Sequence, residues 1–529
     1  GDPDQLFAAT TKGLYVRPSG AGQTWTKVAG YTVPFPALPI DVVLTRTPAN
    51  LLRIWVAAGS DVQVAEVAGA APTPVTPGTL AFTPVKLHDV LVNKAAPGTT
   101  ARPGGTRLQM ATDGAKLYVL GRAEIPAKSS RKNAPAALWT VDVSAARAKL
   151  TDGSATTRLQ DMAEDMFMST TDQSDYDMCI ACHPTVAGRI YVGGAVADDD
   201  GAIYRCDTTA TSAKPTLIGE GVHADVHVLR VGPVSPTDAT KRTVWVGCDG
   251  GLFRSDSDGD PGTFVNRNDG LAVLQPGFVS CHPTNPGIVV AGFQDNGTAI
   301  RTGDTVWTQK LRGDGGGVVF DPNSTNRFFR QYTFVDWESS DGGGIAPVNR
   351  RDARGHDKVK SSEKIEEESS FFYSGAAALK DGTDSHLVFG SNRIWYSPDW
   401  ARSWMTLPTG SDPRDRDNPD LKQDVLDRDQ NAVNYSDTVG SIDCCSSTYP
   451  GVGYTGAKVL TVKLSLSSDR LTLRAIALHE RGVAWVIGTR AAPSGAFSWQ
   501  KNSIPSQAIK NPSAGAEQTA FTDGAPMAF

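Results

Sequence analysis

Cys182-His183-Pro184-Thr185-Val186-Ala187-Gly188-Arg189-Ile190-Tyr191-Val192-Gly193 lies over Cys281-His282-Pro283-Thr284-Asn285-Pro286-Gly287-Ile288-Val289-Val290-Ala291-Gly292. Each stretch ends a short strand in Cys-His-Pro-Thr, turns at a glycine, and enters a β-branched run that closes on a second glycine. The first stretch is preceded by Cys179, and Cys179-Ile180-Ala181-Cys182-His183 has the spacing of a c-type haem attachment. The second has Phe278 and Ser280 upstream and no matching first cysteine. The Cys-His pair therefore belongs to a repeated structural unit. Residues three apart on a strand point to opposite faces, so Cys179 and Cys182 reach one porphyrin only if the strand breaks. Cys182 and Cys281 read instead as buried core thiols.

The repeat extends along the chain. Its unit is a short apolar strand ending in a turn, a β-branched and aromatic strand ending in glycine, and a third strand leading to a tryptophan. Ala475–His479 followed by Val483–Gly488 and Trp499 reads as one copy. Ala376–Leu379, His386–Gly390 and Ile394–Ser397 make another, Val318–Pro322 opens a third, and Thr243–Gly247 with Gly251–Ser255 sits in a fourth. Less regular copies start near Asp41–Leu44 and Leu108–Ala111. On this alignment His183, His282 and His479 share one position as turn formers. Spacings of about 40 to 50 residues are those of propeller blades, each of which hides its faces only against neighbours. The expected fold is an all-β propeller of four-stranded blades over residues 1–529. One ring of eight or nine blades is favoured, with two smaller rings the alternative. An N-terminal fragment from Leu6 to Val28 lacks an opening strand, which the tail at Thr519–Phe529 would supply on ring closure. Two insertions interrupt the pattern, a charged one at 345–369 and a longer one at 409–458 that carries Cys444-Cys445.

Bulk properties narrow the class. A net charge of −6 without a basic block gives no support to nucleic-acid binding. No apolar run approaches the roughly 20 residues that span a bilayer. The chain starts at Gly1-Asp2-Pro3 without an initiator methionine, and sequons occur at Asn296, Asn323 and Asn434. Both features favour export, to the cell surface, the medium or the periplasm. Seven cysteines leave at least one unpaired within the chain. Cys444-Cys445 is expected to form a disulfide with another loop, or with Cys206 or Cys248.

Ser397-Pro398-Asp399-Trp400-Ala401-Arg402-Ser403-Trp404 fits Ser-x-Asp-x-Gly-x-Thr-Trp, with Ala401 in place of glycine, and Gly20–Trp25 is a decayed copy. In such a turn the Asp accepts backbone N–H bonds and the Trp packs between blades. The chain thus resembles the BNR or Asp-box propellers, a group that includes sialidases, xyloglucanase-type hydrolases and sortilin-type receptors. Gly221–His227, Val246–Leu252, Phe293–Thr298 and Gly313–Gly316, in that order, resemble exported bacterial propellers with sortilin-like repeats. That resemblance implies a surface or secreted protein and implies no particular activity.

Three groups carry candidate chemistry. His223, Asp225 and His227 alternate, so on a strand they would share one face and could grip a metal. Asp256, Asp258 and Asp260 alternate around Gly259, which suits calcium, although a distorted Asp-box turn has the same spelling. Asp249, Asp295 and Asp314 follow blade strands in Gly-rich turns. Gathered at a channel mouth they would supply the two carboxylates of a glycoside hydrolase, while Asp-Gly is equally the commonest turn chemistry. No catalytic set is complete. The expected function is therefore a binding scaffold for a protein, a glycan or a second copy of the chain. A secreted glycoside hydrolase is the alternative, and a haem redox protein the third reading.

Overall fold

A computed structural model describes residues 5–31, 40–67, 80–91, 107–125, 134–340, 350–352, 370–406 and 458–500, apart from positions 11, 19–21, 161, 164, 168–171, 272, 304, 392–393, 402–404 and 480–481. The chain is a β-propeller protein. Nine antiparallel sheets follow one another among the described residues, eight of four strands and one of three, and in each the strands pair in chain order. Among the described residues a single short helix, Arg147–Asp152, interrupts them. No helix among these residues is long and apolar enough to cross a membrane.

The chain divides into two compact units, Gly1–Ala272 and Val273–Phe529. The first holds the sheets at 5–27, 40–85, 109–159, 179–217 and 226–266; the second holds those at 276–311, 318–352, 376–406 and 459–500. Within each unit the first strand of every sheet lies against the first strand of the next. The cores sit between successive sheets. Trp55, Leu117 and Trp139 fill the gap between the second and third sheets. Tyr118, Leu138 and Ile190 fill the next, and Tyr191, Leu229 and Val246 the one after. In the second unit Phe329, Trp337, Phe389 and Trp395 pack between the seventh and eighth sheets. In the first unit two buried indoles keep their N–H bonded: Trp55 Nε1 donates to Thr45 Oγ1 at 2.7 Å and Trp139 Nε1 to the His88 carbonyl at 2.7 Å.

The two Cys-His stretches do form equivalent turns after first strands. Nδ1 of His183 accepts the backbone N–H groups of Thr185 (3.2 Å) and Val186 (2.9 Å), and Nδ1 of His282 those of Thr284 (3.3 Å) and Asn285 (3.1 Å). His479 is a correction. It ends Thr472–His479, the second strand of its sheet, whose first strand is Val459–Leu466. That first strand alternates valine and leucine with lysine and serine and carries no Cys-His or His-Pro ending, so the alignment slipped by one strand.

Cys179 and Cys182 lie on one strand and join different inter-sheet cores, Cys179 with Val226 and Cys182 with Ile180 and Ile190. Burial pushes both thiols up to about 12, opposite to what a haem-linking or metal-binding thiolate needs. The expectation of buried thiols needs correction at Cys281, which is exposed on a strand open along most of its length. Among the described residues no disulfide forms, and Cys206 and Cys248 are free thiols. Cys444-Cys445, Thr519–Phe529 and most of both insertions lie outside the described residues. Arg350–Asp352, inside the first insertion, is the fourth strand of the seventh sheet. Leu6–Val28 forms the three-stranded sheet.

The last two sheets are tied by a buried polar chain. Tyr396 O–H donates to His386 Nδ1 at 2.6 Å, and His386 Nε2 donates to Asp381 Oδ2 at 2.9 Å. Asp381 Oδ1 accepts from Arg470 Nε at 2.6 Å and from Arg490 Nη2 at 2.9 Å. Burial alone would raise the Asp381 carboxyl, but the donors from His386, Arg470 and Arg490 outweigh it and hold the group below the usual carboxylate range. Burial lowers His386, which keeps the imidazole neutral. Asp381→Asn leaves Arg490 buried against a neutral amide and is expected to cost about 3–5 kcal/mol, read by urea unfolding of the second unit. A depressed carboxylate adds stability above its unfolded pKa of about 3.9, and that stability is lost as pH falls through the folded value. The wild type should therefore lose stability below about pH 4 more steeply than the variant.

Candidate functional site

In a four-stranded meander the start of the first strand, the turn from second to third, and the end of the fourth share one edge of the sheet. In the first unit this edge of the fourth and fifth sheets collects titratable groups. Gln173, Tyr176 and Asp177 precede the strand Cys179–Cys182, Asp225 and His227 flank the start of Val226–Val234, and Asp249 sits in the two-residue hairpin before Gly251–Ser255.

A tight turn builds the first part. Asp172 Oδ1 accepts the Ser174 N–H at 3.0 Å and is held by Arg122 at 2.6 Å, while Tyr176 and Asp177 donate their N–H groups to the Gln173 carbonyl at 2.9 and 2.7 Å. The turn sends Tyr176 outward, 53% exposed, and Asp177 inward, fully buried. Gln173 Nε2 bridges two carboxyls, donating to Asp177 Oδ2 at 2.8 Å and Asp225 Oδ1 at 3.3 Å. Burial, then the charge and hydrogen bond of Asp225, then Asp249 push Asp177 up to about 9, against the pull of Arg107. A carboxyl so placed holds a proton at neutral pH.

Asp225 stands at φ 60° and Asp249 N donates to its carbonyl at 3.3 Å. Their carboxylate oxygens approach within 4.8 Å. His227 lies in the irregularity between Val226 and Val228, where the strand register shifts. Its Nε2 donates to Asp249 Oδ1 at 2.5 Å, its Nδ1 stands 3.5 Å from Asp177 Oδ1, and Tyr176 meets its ring edge-on at 4.7 Å. The Asp249 bond raises the imidazole above its ordinary value despite burial, favouring the cation. Arg107, which donates to the Tyr176 carbonyl at 2.7 Å, is the nearby guanidinium.

The shared face expected for His223, Asp225 and His227 requires a regular strand, and the strand begins only at Val226. The left-handed Asp225 breaks the alternation. His223 packs against Gly250, where a Cβ would fall 2.3 Å from its Cβ and Cγ, and its Nδ1 meets the Ala224 carbonyl at 3.0 Å.

Asp256, Asp258 and Asp260 turn to separate basic partners. Asp256 binds Arg254 at 2.6 Å, and Asp260 binds Arg205 at 2.6 Å and Lys241 at 3.2 Å. Buried Asp258 accepts the Arg242 N–H at 2.6 Å and lies 3.6 Å from Arg189. Ser255 Oγ accepts from Ser257 N and Gly259 N, each at 3.1 Å; Ser397 Oγ accepts from Asp399 N at 3.4 Å and Ala401 N at 2.8 Å. The two turns also share left-handed residues at the fourth and fifth positions. Arginine and lysine thus occupy the surroundings that a calcium ion would need.

Asp295 and Asp314 belong to the second unit, at the same kind of edge. Asp314 Oδ1 accepts the Asp295 N–H at 3.1 Å and a short hydrogen bond from the Tyr373 hydroxyl. Burial and that bond push the phenol above its usual range, so Tyr373 acts as a donor and not as an oxyanion. A Cβ on Gly315 would fall 2.0 Å from the Gly297 carbonyl, so the glycine run lets this connection pass over its own hairpin. Gln173, Tyr176, Asp177, Arg107 and Tyr373 were not singled out by sequence. The run Asp172-Gln173-Ser174-Asp175-Tyr176-Asp177 just ahead of a first strand is the signal that would have found three of them, Gln173, Tyr176 and Asp177.

No family model and no curated protein matches the chain. Among solved structures it is similar to a GH74 xyloglucanase from Xanthomonas campestris, at 11% identity and a TM-score of 0.46 over 95% of this chain and 76% of the other. It is also similar to an ancestral GH74 enzyme, at 13% identity and a TM-score of 0.46 over 96% and 77%.

Asparagine copies the shape of a neutral aspartic acid. In chelator-containing buffer at pH 7, Asp177→Asn should raise the melting temperature, because the folded acid must take up a proton that its unfolded form has lost, and the gain should shrink as pH falls towards about 4. Asp177→Leu strands the Gln173 amide and should cost about 1–3 kcal/mol in the same melts.

Proposed function

We propose that the protein is an exported β-propeller that binds a glycan at the first unit's edge around Tyr176, Asp225, His227 and Asp249. The observation that carries this reading is the exposed Tyr176 ring, buttressed edge-on by a histidine that Asp249 holds in place. An exposed aromatic face stacks on the C–H face of a sugar, and neighbouring carboxylates accept its hydroxyl protons. The matching hydrogen bonds at Ser255 and Ser397 support the Asp-box reading, and with it the expectation of export. A protein ligand or a second copy of the chain remains the other class of partner. Glycoside hydrolysis through Asp295 and Asp314 is a second reading, favoured by the two donors that orient Asp314.

Screening soluble β-glucans, xyloglucan and sialosides by calorimetry should find a binder whose affinity falls at least about tenfold in Tyr176→Ala with unchanged melting. Binding that ignores this substitution, or no binder at all, would remove the reading. Release of reducing ends that stops in Asp314→Asn would instead establish the hydrolase.

A further inference from the structure

Asp177 is a buried carboxyl of the first unit with one oxygen left unsatisfied. Its side chain is fully buried, Oδ2 takes the Gln173 amide, and Oδ1 accepts no hydrogen bond. The nearest cationic nitrogen, His227 Nδ1, is 3.5 Å away, and the short bond of that ring goes to Asp249. An orphaned buried acceptor is destabilising, and a charged one more so. Such an atom in a native fold calls for an explanation, and an ion that completes it is one.

What borders this carboxyl is more negative charge. Asp225 shares the Gln173 amide with Asp177, and Asp225 and Asp249 bring carboxylate oxygens within 4.8 Å of each other. Oxygens of one calcium shell, each about 2.3–2.6 Å from the ion, stand up to about 5 Å apart. All three donors are hard carboxylate oxygens, which select calcium, magnesium or manganese over zinc or copper. The nearest positive groups are committed elsewhere, Arg107 to the Tyr176 carbonyl and His227 to Asp249.

We propose that the first unit binds one hard divalent cation, with calcium the best fit, between the carboxylates of Asp177, Asp225 and Asp249. The site differs from both sequence candidates: it uses neither His223 nor the Asp256–Asp260 turn, and His227 stands beside it as a partner of Asp249. It requires no bound glycan, so it stands or falls apart from the glycan reading.

The test is calorimetric titration of calcium chloride alone into the full chain after chelator treatment and dialysis. One site per chain with a Kd at or below about 1 mM is expected, and a melting temperature that rises with calcium. Asp177→Asn and Asp225→Asn should each weaken binding at least about tenfold, while Asp260→Asn leaves it unchanged. Should Asp225→Asn fail to fold, terbium on the wild type gives a second readout. Its emission should be sensitised through Tyr176, lost on adding calcium, and reduced in Tyr176→Leu without loss of calcium affinity. No heat, no melting shift and no sensitised emission up to about 10 mM cation would overturn the proposal. So would calcium binding that survives Asp177→Asn, or a preference for zinc that depends on His227.

Discussion

A four-stranded antiparallel sheet has two faces and hides neither by itself. Everything in this protein follows from hiding both against the neighbouring sheets. Trp55 and Trp139, Tyr118 and Ile190, and Phe389 with Trp337 are all inter-sheet side chains, placed in gaps between successive meanders. Glycine recurs where this packing brings backbones together, as at Gly315 against the Gly297 carbonyl. The first strands, set side by side, carry the stacking, and residues at the sheet edges are released from it.

Chemistry collects at those edges. Turns and connections need polar side chains to satisfy their backbone groups, so aspartates accumulate there whether or not they bind anything. Most are used locally. Asp258 accepts the Arg242 N–H, Asp314 the Asp295 N–H, and Asp172 the Ser174 N–H. Asp177 is the exception, because its turn points it into the protein and away from the backbone groups that occupy the others.

The parts that were legible in sequence were those governed by local rules. The Cys-His turns were readable because a histidine two and three residues before a turn's N–H groups caps it locally, and both copies do so. The three-stranded N-terminal sheet was readable from the missing opening run. The strand register near Ala475 was not, because Val459–Leu466 alternates with polar residues and lacks the turn signature used for alignment. The shared face read for His223, Asp225 and His227 assumed a regular strand, and one left-handed residue breaks its alternation. The partners of Asp256 and Asp260 include Arg205 and Lys241, and the grouping of Asp177 with Asp225 spans 48 residues (225 − 177). No local pattern encodes such pairs.

Two buried carboxylates show how differently the same group is treated. Asp381 is met by a histidine and two arginines, and its charge is held in place between two sheets. Asp177 is met by one amide and two further aspartates. The first arrangement joins two sheets. The second lowers the stability of its own fold at neutral pH, and packing gives no reason for it: an asparagine would fill the volume and keep the Gln173 bond without taking up a proton on folding. A feature that opposes folding and serves no packing need is best explained by something it receives. Among candidate guests, only a positive charge relieves all three carboxylates at once.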